Sequence, residues 1–107
     1  MKRIGEMVMI RSEGLEAYKA YHANPLPGVN EMLKACNIQN YSIYQRGEFM
    51  FAYYEYVGND FEVDMKRLEA DAVSQQWEEL VRPLMKPMPD RKAGEFWAGM
   101  EEIYHLD

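Results

Sequence analysis

From Arg3 the chain runs "RIGEMVMIR". In an extended backbone Ile4, Glu6, Val8 and Ile10 fall on one side and Met7 and Met9 on the other, which predicts a first strand over 3–11. Helical spacing takes over at once. Leu15, Tyr18 and His22 recur at steps of three and four, one stripe of a helix over about 13–22 for which Ser12 offers a cap. Pro25 and Pro27 lack the N–H that a helix interior needs, and they push Asn24 and Leu26 toward extended geometry. The result is a stiff elbow, after which "GVNEMLKACN" restores a helical pattern.

"IQNYSIYQ" and "EFMFAYYEYV" are rich in β-branched and aromatic residues and predict an antiparallel hairpin turning at Arg46 and Gly47. Strict alternation puts Ile38, Asn40, Ser42 and Tyr44 on one face of its first strand and Gln39, Tyr41 and Ile43 on the other. A second helical region begins near Asp60 with Phe61, Met65 and Leu68, and continues with Val73, Trp77, Leu80, Val81 and Leu84. "MKPMPDRKAGEF" then reads as a proline-rich loop, and "FWAGMEEIYHL" as a last strand with Gly99 as a weak point or bulge. The order βαββαβ predicts a ferredoxin-like α+β fold, a four-stranded antiparallel sheet with helices on one face. So aromatic a sheet needs its other face covered, and we expect a homodimer packed sheet to sheet.

Composition narrows the picture. Apolar residues make up 48% of the 107 and run along the whole length, which fits one folded domain over 1–107. Eighteen acidic against twelve basic residues give a net charge of −6, and without a basic run no face is suited to tracking phosphates, so nucleic acid is a poor partner. Cys36 is the one cysteine, so no internal disulfide forms. The opening segment is too short and too charged for a membrane span, and a reducing cytoplasm is the expected location.

Tyr18 and His22 are the first candidates for chemistry. Four residues apart on a helix, a phenol and an imidazole can meet one small ligand, and a neutral imidazole exchanges protons near pH 7. The same spacing also describes ordinary core-edge residues. Trp77 offers a flat apolar surface on which a pyranose could stack, and equally fits a core tryptophan. Tyr41 sits mid-strand between polar neighbours. Trp97, Tyr53, Tyr54, Tyr56 and Tyr104 read as sheet and interface packing. His22 and His105 are the only histidines, and no spacing gathers them with carboxylates on a metal ion. An enzyme built from these residues would work without a metal or cofactor, through side-chain acids and bases.

Taken in order, "YKAYH", "NPLP", "NYSIY", "FAYYE", "QQW" and the ending "EEIYHL" resemble the L-rhamnose mutarotase family across nearly the whole chain. The resemblance implies a dimeric α+β barrel of two ferredoxin-like subunits. It also implies a reaction that interconverts the α and β anomers of L-rhamnose or a related deoxysugar, with the monosaccharide as the ligand. It carries the catalytic histidine onto His22 and the sugar-binding residues onto Tyr18, Tyr41 and Trp77. Two positions depart from the typical pattern: Leu26 and Glu78 stand where many members carry tryptophan. The same barrel architecture also hosts small monooxygenases, including haem-degrading ones, and a non-catalytic sugar-binding module is a third reading.

Overall fold

The computed structural model describes all 107 residues, and the alternation in the first strand sets its sheet. β1 (Lys2–Ile10) lies antiparallel to β3 (Phe49–Tyr56), with Ile4 opposite Tyr54, Glu6 opposite Ala52 and Val8 opposite Met50. Directly opposed residues share a face, so these six stand on one side of the sheet. β2 (Ile38–Arg46) pairs with the far edge of β3 through a hairpin that turns at Gly47 and Glu48, one residue later than expected, because Arg46 still pairs with Phe49.

One irregularity in β2 changes what its side chains face. Gln39 pairs with Glu55, but pairing resumes at Ser42 with Tyr53, so Asn40 and Tyr41 together oppose Tyr54 in a β-bulge. Asn40 takes a left-handed φ of 50°, a conformation asparagine tolerates better than most residues, and its Nδ2 donates to Glu55 Oε1 at 2.6 Å. The bulge brings Ile38 onto the same face as Tyr41 and Ile43. Strict alternation had separated them, because it has no term for an extra residue. Tyr44 stays on the opposite face, two-thirds exposed.

The helices cover the face that carries Val8 and Met50. α1 (Leu15–Ala23) follows a tight turn over Ser12–Gly14. That turn places Ser12 too early to cap the helix, and its hydroxyl donates to Glu13 Oε2 at 3.3 Å instead. After the proline elbow, Gly28 adopts φ 99° and starts α2 (Val29–Ala35), a backbone state that glycine enters without steric cost. Asp60 caps α3 (Phe61–Ala70) by accepting from the Val63 N–H at 3.2 Å, and Asp71 caps α4 (Ala72–Val81) by accepting from the Ser74 N–H at 2.9 Å. Val8, Ile10, Tyr18, Met50, Val81 and Met85 form the core, with Trp77, Leu80 and Leu84 packed against it.

The far edge of β1 differs from the single closing strand expected over 96–106. Two short pieces share it: β4 (Met85–Lys86) pairs with Met9 and Ile10, and β5 (Ala98–Met100) with Gly5, Glu6 and Met7. Residues 85 and 86 thus belong to the sheet and not to the loop. Pro87 and Pro89 cannot donate to a ladder, so β4 stops at Lys86 and the chain loops out before it returns. Beyond Met100 there is no regular structure; Arg3 holds Glu102 through two bonds of 2.7 and 3.1 Å. The apolar residues that made this tail look like a strand, Ile103, Tyr104 and Leu106, are 77–90% exposed. The sheet order β2-β3-β1, then β4 and β5 on one edge, keeps the ferredoxin-like arrangement. No helix is long and apolar enough to cross a membrane.

Candidate active site

Between the sheet and the four helices lies an open cavity of about 610 Å³, within the span of roughly 300–1,000 Å³ usual for small-molecule sites. The sequence candidates Tyr18, His22, Tyr41 and Trp77 all line it. α1 supplies the first two from consecutive turns. Their rings stack with centroids 4.1 Å apart, and Trp77 of α4 meets the His22 ring edge-on at 5.0 Å. Tyr41 comes from the sheet side, stacked at 5.0 Å on Tyr54. The bulge at Asn40 gives it this position.

The tautomer of His22 follows from its partner. Nδ1 lies 2.8 Å from the Tyr18 carbonyl oxygen, which can only accept, so Nδ1 carries a proton and donates it. Nε2 is then the free nitrogen, with a lone pair available whenever the ring is neutral. Burial lowers the imidazole pKa, opposed in part by the Tyr18 bond, so the neutral form prevails at pH 7. Burial raises the Tyr18 phenol, helped by Glu78. Tyr41, 39% exposed but set deep in the concave wall, is raised by burial and then by Glu6.

Among the cavity residues that the sequence did not offer as site candidates are Glu6, Tyr54, Glu78 and Trp97. Tyr54 and Trp97, expected to be packing residues, belong to the cavity lining, because the bare strand pattern of an aromatic is the same whether it faces a core or a pocket. Glu6 did leave a sign. It is a lone carboxylate on the face of Ile4, Val8 and Ile10, and such a break in an apolar face asks for a reason. Burial first, then Glu95 and Glu78, pushes its pKa up to about 7. Of the two departures, Glu78 stands at the cavity wall with Oε2 accepting from Arg82 Nε at 2.7 Å, while Leu26 is absent from the lining. In the elbow Pro25 forms part of the wall and Pro27 does not.

No three His, Cys, Asp or Glu side chains gather into a cluster able to hold a metal ion. What the cavity offers is an imidazole with a free lone pair, phenols, a carboxyl with a raised pKa and flat aromatic walls. Such a set can bind a small polyol and move protons on it.

Comparison with known proteins agrees in scale and kind. The family model for L-rhamnose mutarotase matches residues 3–106. A UPF0734 protein of Dictyostelium discoideum is 32% identical over 100 residues, covering 89% of this chain and 80% of its own. An L-rhamnose mutarotase of Listeria monocytogenes is 28% identical over 108 residues, 99% of both chains. Among solved structures, an L-rhamnose mutarotase from Formosa agariphila superposes with a TM-score of 0.78 at 19% identity over the whole of both chains. Tetracenomycin F2 cyclase from Streptomyces glaucescens does so at 0.68 and 14%, covering 100% of this chain and 98% of its own. At such identities the two structures show the fold alone, a subunit of the dimeric α+β barrel class. With a family model spanning all but its first two residues and its last, this chain belongs to the L-rhamnose mutarotase family.

Proposed function

We propose that the protein is a mutarotase that interconverts the α and β anomers of L-rhamnose or a closely related deoxysugar, without a cofactor. The observation that carries this reading is the fixed tautomer of His22. With Nδ1 committed to the Tyr18 carbonyl at 2.8 Å, Nε2 is a base on the wall of a sugar-sized cavity. Ring opening begins when such a base removes the proton of the anomeric hydroxyl. Trp77 provides an aromatic surface for the apolar side of the pyranose, and the hydroxyls of Tyr18 and Tyr41 orient its polar edge. Membership of the family supports the sugar class, and Glu78 in place of a second tryptophan bears on which deoxysugar fits best.

Anomer exchange of L-rhamnose at equilibrium, read by NMR saturation transfer between the two anomeric protons, tests the reading directly. Wild type accelerates exchange, and His22→Gln lowers the acceleration about 10²- to 10⁴-fold, the usual worth of a general acid or base. A wild-type protein that leaves the exchange of both L-rhamnose and L-fucose at the rate in water would refute it.

The same proposal extends to assembly. The sheet face away from the helices exposes Tyr44 and Phe51, and a second copy covers it in a homodimer. A monomer in sedimentation equilibrium at micromolar concentration counts against this. The single thiol, Cys36, is fully buried and suits the reducing cytoplasm in which we place the enzyme.

A further inference from the structure

Ring opening needs two proton transfers, and His22 can make only one of them. A neutral imidazole whose Nδ1–H is held by the Tyr18 carbonyl accepts a proton at Nε2 but has none there to give. The ring oxygen must be protonated as the bond to the anomeric carbon breaks, so an acid has to stand elsewhere in the cavity. Burial holds the phenols of Tyr18, Tyr41 and Tyr54 above their ordinary range, which makes them poor donors.

Glu6 is placed for the task. It rises from the sheet on the cavity floor, while His22 hangs from α1 on the helical wall. Its neighbours across the ladders are Ala52 on β3 and Gly99 on β5, the two smallest residue types, so neither directly opposed residue has a side chain that crowds the carboxyl. A carboxylate at this register also interrupts the apolar row of Ile4, Val8 and Ile10, and what acts on it is burial and the charges of Glu95 and Glu78, not a hydrogen bond.

We infer that Glu6 is the general acid of the reaction, donating its proton to the ring oxygen while His22 Nε2 takes the proton of the anomeric hydroxyl. This rests on the proposed mutarotase activity. The anomeric O–H pair becomes the carbonyl π bond as the bond from the anomeric carbon to the ring oxygen breaks, its pair going to that oxygen, which receives the Glu6 proton. An imidazolium, a carboxylate and an open-chain aldehyde remain. Rotation about the bond between carbons 1 and 2 presents the other carbonyl face. The Glu6 carboxylate then takes back the proton as the ring oxygen attacks, and the imidazolium returns its own to the new anomeric oxygen. Both groups end as they began.

The charges around Glu6 support this role. From the segment before β5, Glu95 accepts from the backbone N–H groups of Lys92 at 2.8 Å and Gly99 at 3.2 Å, and these bonds hold its pKa low. From α4, Glu78 adds a second carboxylate; α1 brings Lys19 and His22 to the same cavity, and β2 and β3 bring the neutral phenols Tyr41 and Tyr54. Burial and the two carboxylates raise Glu6 to about 7. Two neighbouring carboxyls driven apart, Glu95 kept ionised and Glu6 still carrying its proton up to about pH 7, form the pattern that assigns acids and bases in enzymes.

The test is the pH profile of kcat/KM for L-rhamnose exchange, which reports the groups of the free enzyme, for wild type, Glu6→Gln and Glu95→Gln. Wild type should show a bell, with an acid limb from His22 and an alkaline limb near 7 from Glu6. Glu6→Gln should lose the alkaline limb and about 10²- to 10⁴-fold of the rate, with the half-saturating sugar concentration changed less than threefold. Glu95→Gln should move the alkaline limb to lower pH. An active wild type with a Glu6→Gln variant equally fast and with the same alkaline limb overturns Glu6 as the acid and leaves the mutarotase reading standing. A wild type inactive on L-rhamnose and L-fucose overturns that reading and this role together.

Discussion

Tyr18 does two jobs that substitution can separate. Its ring is 5% exposed inside the core cluster with Val8, Met50 and Val81, and stacks on His22 at 4.1 Å. Its hydroxyl opens on the cavity, and no buried side-chain polar atom of the fold is left unpaired. Tyr18→Phe keeps the ring, so the free energy of unfolding should stay within about 0.5 kcal/mol of wild type. The sugar loses one neutral hydrogen bond of about 0.5–1.5 kcal/mol, which raises KM roughly 2- to 10-fold. Tyr18→Ala removes the ring from the core and leaves a hole, a loss of about 3–5 kcal/mol. In a domain of this size each kcal/mol moves Tm by about 4–8 °C, so the alanine variant should melt about 12–40 °C lower. Urea unfolding of the three proteins, with slopes compared to confirm a common unfolded state, gives the stabilities, and exchange rates against sugar concentration give the binding. If Tyr18→Phe loses more than about 1.5 kcal/mol, the hydroxyl is paired within the fold and not offered to a ligand. If Tyr18→Ala loses less than about 1 kcal/mol, the core described above is wrong.

Glu6 should also be visible in stability, with no sugar present. Its carboxyl is raised from an ordinary 4.5 to about 7, so the folded state keeps a proton that the unfolded chain has released, and stability present below about 4.5 is lost as pH rises through 7. Glu6→Gln should therefore gain about 3 kcal/mol over wild type at pH 8 relative to its difference at pH 4; equal urea midpoint shifts at both pH values would falsify this. Trp77→Leu keeps an apolar residue against Tyr21 and His22 but removes the flat face, and KM for L-rhamnose should rise roughly 3- to 10-fold. An unchanged KM removes Trp77 from the sugar site. Asn40→Val puts a β-branched residue at φ 50°, costing about 1–3 kcal/mol and disturbing Tyr41, whereas Asn40→Gly should keep activity. Thermal melts and exchange rates on both variants decide whether the bulge holds the site.

The parts of the fold that a periodic pattern encodes could be read in the chain, and the parts that depend on exceptions could not. Tyr18 and His22 share a face because four residues make about one helical turn, and no tertiary knowledge is needed to see it. Trp77 followed from the same period in α4. β4 has only two residues, Met85 and Lys86, too few to show any alternation, so it was hidden between prolines. The exposed tail failed in the opposite way: Ile103, Tyr104 and Leu106 carry a strand-like composition, but β5 ends at Met100 and the rest of the β1 edge is left without them. Glu6 was legible only as an anomaly. Its meaning depends on Ala52, Gly99 and Glu95, which lie some 46 to 93 positions away in sequence and meet it only through the strand register.

The bulge at Asn40 shows how one sheet can serve two purposes. A perfectly alternating β2 that kept Ile38 inward, against Tyr56 and the helices, would turn Tyr41 and Ile43 outward with Tyr53 and Phe51 of β3 and bring Tyr44 inward. The extra residue lets β2 present Ile38, Tyr41 and Ile43 on one face and Gln39, Ser42 and Tyr44 on the other. Ile38 then seals the core at 3% exposure, while Tyr41, one bulge later, stacks on Tyr54 above the cavity. The cost of the left-handed Asn40 is partly offset by its bond to Glu55, which also accepts from Tyr53 at 2.7 Å on the outer face. The device that aims a tyrosine at the cavity is thus anchored on the face we assign to a second subunit. Occupancy of that face and the position of Tyr41 share one strand, so a variant that prevents dimer formation by altering Tyr53 or Glu55 should raise KM for the sugar as well.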